Sequence, residues 1–371
     1  MAQQPQQFDL LIDRRNTART QWVERAPANK IALSDGQIVV EIDDLAFTAN
    51  NITYLLFGDL IGYWRLFPAP ESGMGLLPAM GTAHVVRSQH PDIHVGERLW
   101  GFFPIATHLL MTPGHVTKDR FEDLHEHRAA MYEKEPNMRP YQRYYRIPAM
   151  ADFITEHEGI QSALRGQFTT SFLMDWYLKD KEFFGARQVL LTSASSRTAI
   201  AGAWLSSHHD SIRVIGLTSQ RNRQFTEQLG CYHEVRTYEE ISQLVATVPT
   251  AIVDIAGDGD LMRQVHKHYG DNIKYSGSLG KAHPKSPMTA RNLPGATPRM
   301  FFAPTHMEKR IAQWGVHGFD ERLNRQWKTY EAKAAGWFKE VRAEGAEAIS
   351  ETYGKALQSG FDPALINILS P

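Results

Sequence analysis

The hydrophobic pattern of the chain changes character about halfway along it. Up to residue 146 the apolar positions favour strands and loops, and Ile38, Val40 and Ile42 recur at every second position. A period of two is typical of a strand with one buried face. The same reasoning predicts short strands at 82–86 and 97–103.

A helix is predicted inside this strand-rich part, over residues 119–135. Its apolar positions, mostly three or four residues apart, are Phe121, Leu124, His125, Ala129 and Tyr132, and Pro136 would terminate it. Because the helix interrupts the join between strands near 103 and 141, it is interpreted as an insertion. A lid over an aromatic cleft and a solvated helix without a catalytic role are both open interpretations.

From about residue 153 onward, apolar runs alternate with helical segments. The runs QVLLTS, IRVIGL and AIVDI at 188–193, 212–217 and 251–255 are predicted strands, with helices at 168–179, 198–207 and 221–229. This alternation is typical of a parallel sheet covered on both faces and built from right-handed βαβ units. A strand at 300–303 and a long helical stretch at 320–358 are predicted for the end of the chain.

Composition and charge narrow the class of protein. The chain has 371 residues, of which 42% are hydrophobic, so large cores are possible and two to three domains of about 150 residues are expected. The net charge of −1 gives no electrostatic excess for general binding to nucleic acid or anionic membranes. Cys231 is the only cysteine, which excludes an internal disulfide and a multi-cysteine zinc site.

The turn after the first parallel strand is the candidate site for a dinucleotide. A dinucleotide fold places its pyrophosphate at this turn, against the N-terminus of the following helix. The usual glycines are missing. Small hydroxyl side chains and one cation stand in their place, and the predicted cofactor-binding residues are Ser193, Ser195, Ser196, Arg197 and Thr198. The alternative is a capped helix that binds no nucleotide.

The end of the second parallel strand favours NADP over NAD. An NAD site requires an acidic residue for the ribose 2′-hydroxyl, and none occurs between Ser211 and Thr226. Instead Thr218, Ser219 and Arg221 follow the strand, with Arg223 nearby, and hydroxyls with arginines suit a 2′-phosphate. The alternative is that the arginines only solvate the start of a helix.

Four segments resemble the medium-chain dehydrogenase/reductase superfamily, in its zinc-free, quinone-oxidoreductase-like branch. They are QIVVEIDDLAFTANN at 37–51, VGERLWGFF at 95–103, YQRYYRIPA at 141–149, and the βαβ segment at 188–234. The resemblance implies a GroES-like β-barrel catalytic domain and a Rossmann domain with a doubly wound parallel sheet, an α/β fold overall. The expected bounds are 1–150 with 301–371 for the first domain, and 151–300 for the NADP-binding domain. The stretch FTANNITYLLFGDLIGYWRLFP resembles a little-characterised branch of unknown function.

Zinc ligands of the superfamily have no counterparts in this sequence. Asn50 and Asn51 occupy the loop in which zinc members carry a cysteine, and Gly81-Thr82-Ala83-His84 replaces their Gly-His-Glu element. We therefore expect no catalytic metal, and interpret His84 as a hydrogen-bonded strand histidine.

Without a metal, hydrogen-bond donors must polarise the acceptor oxygen of the substrate. The resemblance points to a tyrosine after the Asn loop, so Tyr54, Tyr63 and Asn51 are the predicted catalytic residues. Asn51 and Tyr54 would orient or polarise the oxygen, and Tyr63 or water would supply the proton. The alternative is that both tyrosines are ordinary half-buried aromatics. The predicted substrate-binding residues are Asn50, Trp64, Phe103, Tyr141 and Tyr144. Tyr275 and Ser278 are expected near the nicotinamide.

These expectations combine into an NADPH-dependent reductase. Its substrate would be an activated alkene or a carbonyl compound that is small and apolar or aromatic, bound in a cleft between the domains. Two alternatives remain open: redox-neutral chemistry such as carbon–carbon bond cleavage, and a non-catalytic nucleotide sensor. The first residues lack a basic segment followed by an apolar one, and no apolar run is long enough to span a membrane. A cytoplasmic protein is therefore expected, and the resemblance to the superfamily implies a homodimer.

Overall fold

The computed structural model describes residues 7–150, 153–279 and 293–371. Its strands are β1 (Phe8–Asp13), β2 (Thr20–Glu24), β3 (Ile38–Phe47), β4 (Met74–Leu76), β5 (Pro78–Ser88), β6 (Arg98–Pro104), β7 (His108–Met111), β8 (Pro113–Gly114), β9 (Arg120–Asp123), β10 (Arg143–Arg146), β11 (Gln188–Leu191), β12 (Arg213–Thr218), β13 (Glu234–Thr237), β14 (Thr250–Asp254), β15 (Ile273–Ser278), β16 (Arg299–Met300), β17 (Lys339–Glu344) and β18 (Leu365–Ser370). Its α-helices are α1 (Ala49–Ile61), α2 (Tyr63–Leu66), α3 (His127–Lys134), α4 (Glu158–Asp180), α5 (Arg197–Ser206), α6 (Arg223–Gln228), α7 (Gly259–Tyr269), α8 (Ala303–Ala334) and α9 (Gly345–Ser359).

The chain forms two compact units. The first comprises Met1–Ala163 and Phe338–Pro371, and the second comprises Leu164–Trp337. The assignment of catalysis and cofactor binding to separate domains, with the bounds given above, stays a prediction.

The first unit is built on mostly antiparallel sheets. The larger has the order β17-β18-β3-β5-β6-β10-β9-β8, with β7 paired to β3, and the smaller has the order β2-β1-β4. Ile38, Val40 and Ile42 are buried in β3, as the period-two pattern predicted. The C-terminal segment closes this unit, because β18 pairs antiparallel with β3 and Tyr353 of α9 stacks on Phe47.

The second unit contains a six-stranded parallel sheet in the order β13-β12-β11-β14-β15-β16. Numbered along the chain, this is the 3-2-1-4-5-6 order of a dinucleotide-binding fold. The three apolar runs form its central strands, and residues such as Val189, Ile215 and Ile252 are almost completely buried. The order reverses between β11 and β14, which is where ligands bind in open parallel sheets.

Four local predictions are wrong. The Asn loop is the start of α1, and the first part of the predicted 119–135 helix is β9, because Phe121 pairs with Tyr144 of β10 in the sheet. The helical stretch at 320–358 is broken by β17, which pairs with β18. The strand predicted at 300–303 is confined to β16, because α8 begins at Ala303.

Within the part of the chain that the structure describes, helices long and apolar enough to cross a membrane are absent.

Candidate active site

Helix α1 positions the first predicted tyrosine. Thr48 caps its N-terminus by accepting a hydrogen bond from the backbone N–H of Asn50 at 3.3 Å. The Asn51 side chain accepts one in return from the N–H of Thr48 at 2.8 Å, which completes a capping box. Gly62, at φ 104°, ends the helix in the left-handed conformation. These caps place Tyr54 on α1 just ahead of Tyr63, the first residue of α2.

Tyr54, Tyr63 and Tyr141 form the tyrosine cluster of the first unit. The rings of Tyr54 and Tyr63 lie 4.2 Å apart between centroids, and the hydroxyl oxygens of Tyr63 and Tyr141 are 3.0 Å apart. Phe102 of β6 packs edge-on against Tyr54 and tilted against Tyr141, at 5.4 and 5.1 Å. The structure therefore brings together two predicted catalytic residues and one predicted substrate residue.

Burial keeps the tyrosine cluster protonated. Desolvation raises the pKa of Tyr54 and of Tyr63 well above 10, and it also raises the pKa of Tyr141. A neighbouring phenol adds to the effect for Tyr54 and Tyr63, because two phenolates so close together would repel each other. All three groups are therefore neutral hydrogen-bond donors at physiological pH.

Asn50 orients the hydroxyl of Tyr54. Its Nδ2 donates a hydrogen bond to the Tyr54 oxygen at 2.5 Å. The tyrosine therefore acts as acceptor in this bond and keeps its own hydrogen for another partner. Asn50 is exposed, whereas Tyr54 is 7% exposed. This pair can present an O–H group to an oxygen atom of a bound molecule.

The side chain of Asn51 is fixed by hydrogen bonds to its own helix cap and to β5. Besides the capping bond, its Oδ1 accepts a bond from the Thr48 hydroxyl at 3.2 Å, and its Nδ2 donates to the backbone oxygen of Pro78 at 2.9 Å. The side chain is 2% exposed. Its geometry supports a role in capping α1 and anchoring it to β5, and does not support the predicted role in polarising a substrate.

The other predicted substrate residues lie in the core and do not extend the tyrosine cluster. Trp64 packs so closely on Gly58 and Gly75 that a Cβ at either position would lie 2.3 Å from its ring. Phe103 packs against Tyr144, whose hydroxyl donates to the backbone oxygen of Phe102 at 2.6 Å. All three predicted residues are buried. Phe102, which the sequence reasoning missed, contacts the cluster because neighbouring strand residues point to opposite faces.

The serine-rich turn of the second unit adopts the conformation that a glycine usually supplies. Ser193 has φ 48°, in the left-handed region. Ser196 is the N-cap of α5 and accepts a bond from the N–H of Ala199 at 3.3 Å. Ser195 accepts a bond from Nδ2 of Asn222 at 2.9 Å. The three predicted serines thus shape the turn that leads into α5.

Arg197 and Thr198 begin α5, and their surroundings differ from the prediction. Arg197 is 8% exposed, and its burial lowers its pKa to about 10, so it remains a cation that is mostly withdrawn from solvent. Thr198 is half-buried, and its backbone oxygen accepts a bond from the hydroxyl of Ser171 in α4 at 2.8 Å. Neither side chain is presented openly at the turn.

The end of β12 carries a buried hydroxyl that lacks a partner. Thr218 is 1% exposed, and its Oγ1 has no hydrogen-bond partner among the described residues. Ser219 follows it and is half-buried, and Arg221 is exposed. By contrast, Arg223 is paired with Glu227 and Glu240, each at 2.9 Å. Arg221 is therefore the better placed of the two arginines to meet a ligand.

Tyr275 and Ser278 lie on β15. Tyr275 is 5% exposed and stacks on Phe184, with ring centroids 4.7 Å apart. This packing gives Tyr275 a place in the core of the unit and does not support the predicted contact with nicotinamide. Ser278 ends the strand and is half-buried. The segment 280–292 that follows lies outside the described residues.

Thr192 and Asp254 join the two strands at the point where the strand order reverses. The Thr192 hydroxyl donates to Oδ1 of Asp254 at 2.7 Å and accepts from the N–H groups of Ile255 and Ala256 at 2.8 and 3.0 Å. Burial raises the pKa of Asp254. Sequence reasoning missed this pair, although each residue is the last but one of a predicted apolar strand.

The second unit fits a dinucleotide. It combines the reversal point of the sheet, a left-handed turn before α5, and the orphaned Thr218 hydroxyl where the second strand ends. A buried hydroxyl without a partner is unfavourable unless a ligand or water satisfies it. The absence of an acidic residue at this strand end suits a 2′-phosphate.

Among residues 7–150, 153–279 and 293–371, groups of three or more His, Cys, Asp or Glu that could hold a metal ion are absent. His84 lies in β5 and bonds to Oδ1 of Asp43 at 2.7 Å, as expected for a hydrogen-bonded strand histidine.

Burial raises the pKa of the Cys231 thiol to about 12, which makes it a poor nucleophile.

The two units have the fold of the medium-chain dehydrogenases/reductases, in which a GroES-like domain accompanies a Rossmann domain. The chain is similar over 95% of its length to CurA from Vibrio vulnificus in complex with NADPH, with 12% identity, a TM-score of 0.57 and 94% of that chain covered. It is similar over 98% of its length to the yhdH oxidoreductase from Salmonella enterica in complex with NADP, with 13% identity, a TM-score of 0.53 and 99% of that chain covered. The quinone oxidoreductase from Coxiella burnetii gives 12% identity and a TM-score of 0.51, with 98% of this chain and 99% of that chain covered.

The chain belongs to the family described as "Protein of unknown function (DUF2855)", whose model matches residues 45–362. The match spans both units. No curated protein matches the chain.

Proposed function

We propose that the protein is a zinc-independent, NADPH-dependent oxidoreductase that reduces an activated alkene or a carbonyl group of a small apolar or aromatic substrate. The observation that carries the proposal is the tyrosine cluster. Its three neutral phenols lie together with Asn50 and pack against the ring of Phe102. Support for the cofactor comes from the fit of the second unit, and from the NADPH and NADP in the solved structures of CurA and yhdH.

The second unit would hold the cofactor through a small set of residues. Ser193 and Ser196 shape the turn for the pyrophosphate, and Thr218, Ser219 and Arg221 meet the adenosine ribose and its 2′-phosphate. When bound, NADPH supplies a hydride to the electron-poor carbon of the substrate. Arg197 contributes positive charge near the start of α5, where a buried cation is poorly screened by solvent.

The first unit would polarise the substrate and provide the proton. Tyr54 donates its hydroxyl hydrogen to the acceptor oxygen, while Asn50 holds the phenol oxygen from the other side. Donors held in place before the reaction stabilise the charge that develops on that oxygen. Tyr63 would deliver the proton, to the oxygen of a reduced carbonyl or to the carbon next to the carbonyl of a reduced enone. The Tyr63 phenolate that remains would accept a hydrogen bond from the hydroxyl of Tyr141 until water returns the proton.

The aromatic setting of the cluster favours a flat, conjugated substrate. Tyr141 is half-buried and its ring can stack on a flat substrate, whereas Phe102, Tyr54 and Tyr63 are buried. The described residues of the cluster include no charged side chain to bind an acid. A phenol is also a suitable donor to an uncharged ketone or quinone oxygen. These features support enones and quinones as the first substrates to test.

NADPH consumption after treatment with a chelator tests the proposal. Protein dialysed against EDTA is mixed with NADPH and a panel of enones, quinones and aromatic aldehydes, and absorbance of NADPH is followed. The proposal predicts consumption that depends on both substrate and enzyme. Tight NADPH binding without consumption on any compound would point to redox-neutral chemistry, and no binding at millimolar NADPH would reject the cofactor.

A further inference from the structure

Helix α3 is connected to both segments that carry the hydroxyl pair of Tyr63 and Tyr141. Tyr63 is the first residue of α2, and Tyr141 lies in the stretch of chain that directly follows α3. The two hydroxyl oxygens are 3.0 Å apart, so their bond depends on the relative position of segments that are distant in the sequence. Contacts between α3 and residues 62–67 therefore bear directly on this pair.

Two contacts join α3 to Arg65 of α2. The Arg65 guanidinium donates to both carboxylate oxygens of Glu135, the C-cap of α3, at 2.7 and 2.8 Å. Such a two-point pair fixes orientation as well as distance. His127, the first residue of α3, donates from Nε2 to the backbone oxygen of Arg65 at 2.7 Å, because a carbonyl oxygen can only accept. Arg65 is thus held by its side chain and by its backbone.

Arg128 of α3 holds the end of the same segment. Its guanidinium lies over the ring of Phe67, 5.2 Å from the centroid, and its Nη1 lies 2.9 Å from a carboxylate oxygen of Asp123 in β9. Both charged side chains are buried, where solvent screens the ion pair poorly. The backbone oxygen of Arg128 accepts a bond from Nε2 of Gln142, the residue after Tyr141, at 3.1 Å. Helix α3 is therefore tied to both partners of the hydroxyl pair.

We propose that α3 is a clamp that holds Tyr63 at its hydrogen-bonding partner. The α3 clamp consists of the Arg65–Glu135 pair and the contacts of His127 and Arg128 described above. Its members are positioning residues, because they act on the proton donor through α2. A donor displaced by about 1 Å loses much of its effect, so the clamp supports proton delivery by Tyr63. The inference rests on the proposed function, because it concerns the proton donor of the same site.

Changing the charge of Arg65 tests the inference, because this side chain is exposed and its replacement leaves the core intact. Steady-state rates are measured with NADPH and an enone that supports its consumption. Arg65→Gln is expected to lower kcat about threefold, a size typical of an exposed ion pair, and Arg65→Glu about fivefold, because two carboxylates then repel each other. KM and the NADPH dissociation constant should not change. Exchanging the charges in Arg65→Glu with Glu135→Arg should restore kcat to within about twofold of wild type.

The effect should depend on the Tyr63 hydroxyl. In a Tyr63→Phe background, adding Arg65→Glu should leave the remaining kcat unchanged within about twofold, because the clamp acts through that hydroxyl. A general loss of stability would instead lower kcat by the same factor in both backgrounds. This comparison separates positioning from destabilisation.

Arg342→Gln is the matched control for Arg65→Gln. Arg342 also donates to both oxygens of one carboxylate, that of Asp44, at 2.8 and 2.7 Å, and its side chain is exposed to a similar extent. It should leave kcat unchanged. Amide hydrogen exchange without substrate or cofactor gives a second readout. Residues 62–67 should exchange faster in Arg65→Glu, at the wild-type rate in Arg342→Gln, and at the wild-type rate again when the charges are exchanged.

The outcomes separate the inference from the proposed function. If Arg65→Glu keeps the wild-type kcat, or loses the same factor with and without the Tyr63 hydroxyl, the inference is overturned and the proposed function stands. Failure of the exchanged charges to restore kcat also overturns it, since Arg65 would then act other than through Glu135. If wild type consumes no NADPH with any substrate, the proposed function fails, and with it the role of the clamp in proton delivery. Hydrogen exchange then still decides whether α3 holds α2, and unchanged exchange in Arg65→Glu would reject the clamp itself.

Discussion

The hydroxyl oxygens of Tyr63 and Tyr141 lie 3.0 Å apart, although the two residues are separated by 78 positions in the sequence. One follows α1 at the start of α2, and the other precedes β10. Their rings meet edge to face, with centroids 5.3 Å apart. A predicted catalytic residue and a predicted substrate residue are therefore one hydrogen-bonded pair, and the pair can be tested as a unit.

Removing both hydroxyls of this pair should lower kcat by less than the product of the two separate fold-changes. Tyr63→Phe is expected to lower kcat about 10²-fold, the lower range for loss of a general acid. Tyr141→Phe should lower it less, because Tyr63 keeps its own proton. The double variant should resemble Tyr63→Phe, as expected for residues that act together. Strict additivity in steady-state kinetics would show that the two hydroxyls act independently.

Tyr54→Phe should separate chemistry from cofactor binding. Loss of the O–H that polarises the acceptor oxygen is expected to lower kcat by about 10²- to 10³-fold, as for one oxyanion donor. NADPH affinity should not change. Tyr132→Phe is the matched control, because this first-unit tyrosine contacts His115 and Arg139. Equal rates for Tyr54→Phe and wild type would remove Tyr54 from the mechanism.

Arg221 and Arg223 should differ in their effect on cofactor choice. Arg221→Ala is expected to raise the dissociation constant for NADPH about tenfold, a value typical of one charge-assisted contact, and to leave that for NADH unchanged. Arg223→Ala should change neither, since its charge is already paired with two glutamates. Titration of both variants with both cofactors measures this. An equal loss of NADPH and NADH affinity in Arg221→Ala would argue against a 2′-phosphate contact.

His108 should make the protein less stable in mild acid. Burial lowers its pKa to about 4, from about 6.5 in an unfolded chain. Above pH 6.5 the histidine is neutral in both states and the folded protein has its full stability. As the pH falls from 6.5 towards 4, the unfolded chain binds a proton here that the folded protein does not, so the free energy of unfolding decreases. The expected slope is up to about 1.4 kcal/mol of unfolding free energy per pH unit.

Urea unfolding between pH 4 and 7 measures this effect. His108→Gln should show a shallower dependence on pH than wild type over that range. His94→Gln, at an exposed position, should keep the wild-type dependence. Parallel curves for wild type and His108→Gln would show that His108 is not the responsible group.

The parallel sheet could be predicted from local sequence because its strands are short, apolar and separated by helices. Both faces of this sheet are covered, so side chains on either face, such as Val189, Ile215 and Ile252, are buried. A continuous apolar run therefore indicates a strand of such a sheet. Helix α1 was missed although its sequence carries a start and a stop. Thr48 followed by Asn51 resembles a capping box, and Gly62 marks the end. The likeness to a superfamily loop outweighed this local signal.

The candidate site was only partly predictable, for a physical reason. The choice of Phe102 over Phe103 depends on the face to which each points, and this depends on the register of β6 between β5 and β10. The hydrogen bond from the Tyr232 hydroxyl to the backbone oxygen of Ala194 joins the loop after β11 to the loop before β13. Contacts of this kind follow from tertiary structure, and the residues alone do not encode them in any short pattern.

Transfer of deuterium from labelled NADPH tests the central claim most directly. The chelator-treated enzyme is incubated with NADPH deuterated at C4 of the nicotinamide, on the transferred face, and with an enone that supports consumption. The account predicts one deuterium on the β-carbon of the saturated product, and almost none when Tyr54→Phe replaces wild type over the same time. Substrate converted without deuterium, or no product with any acceptor despite bound NADPH, would contradict it.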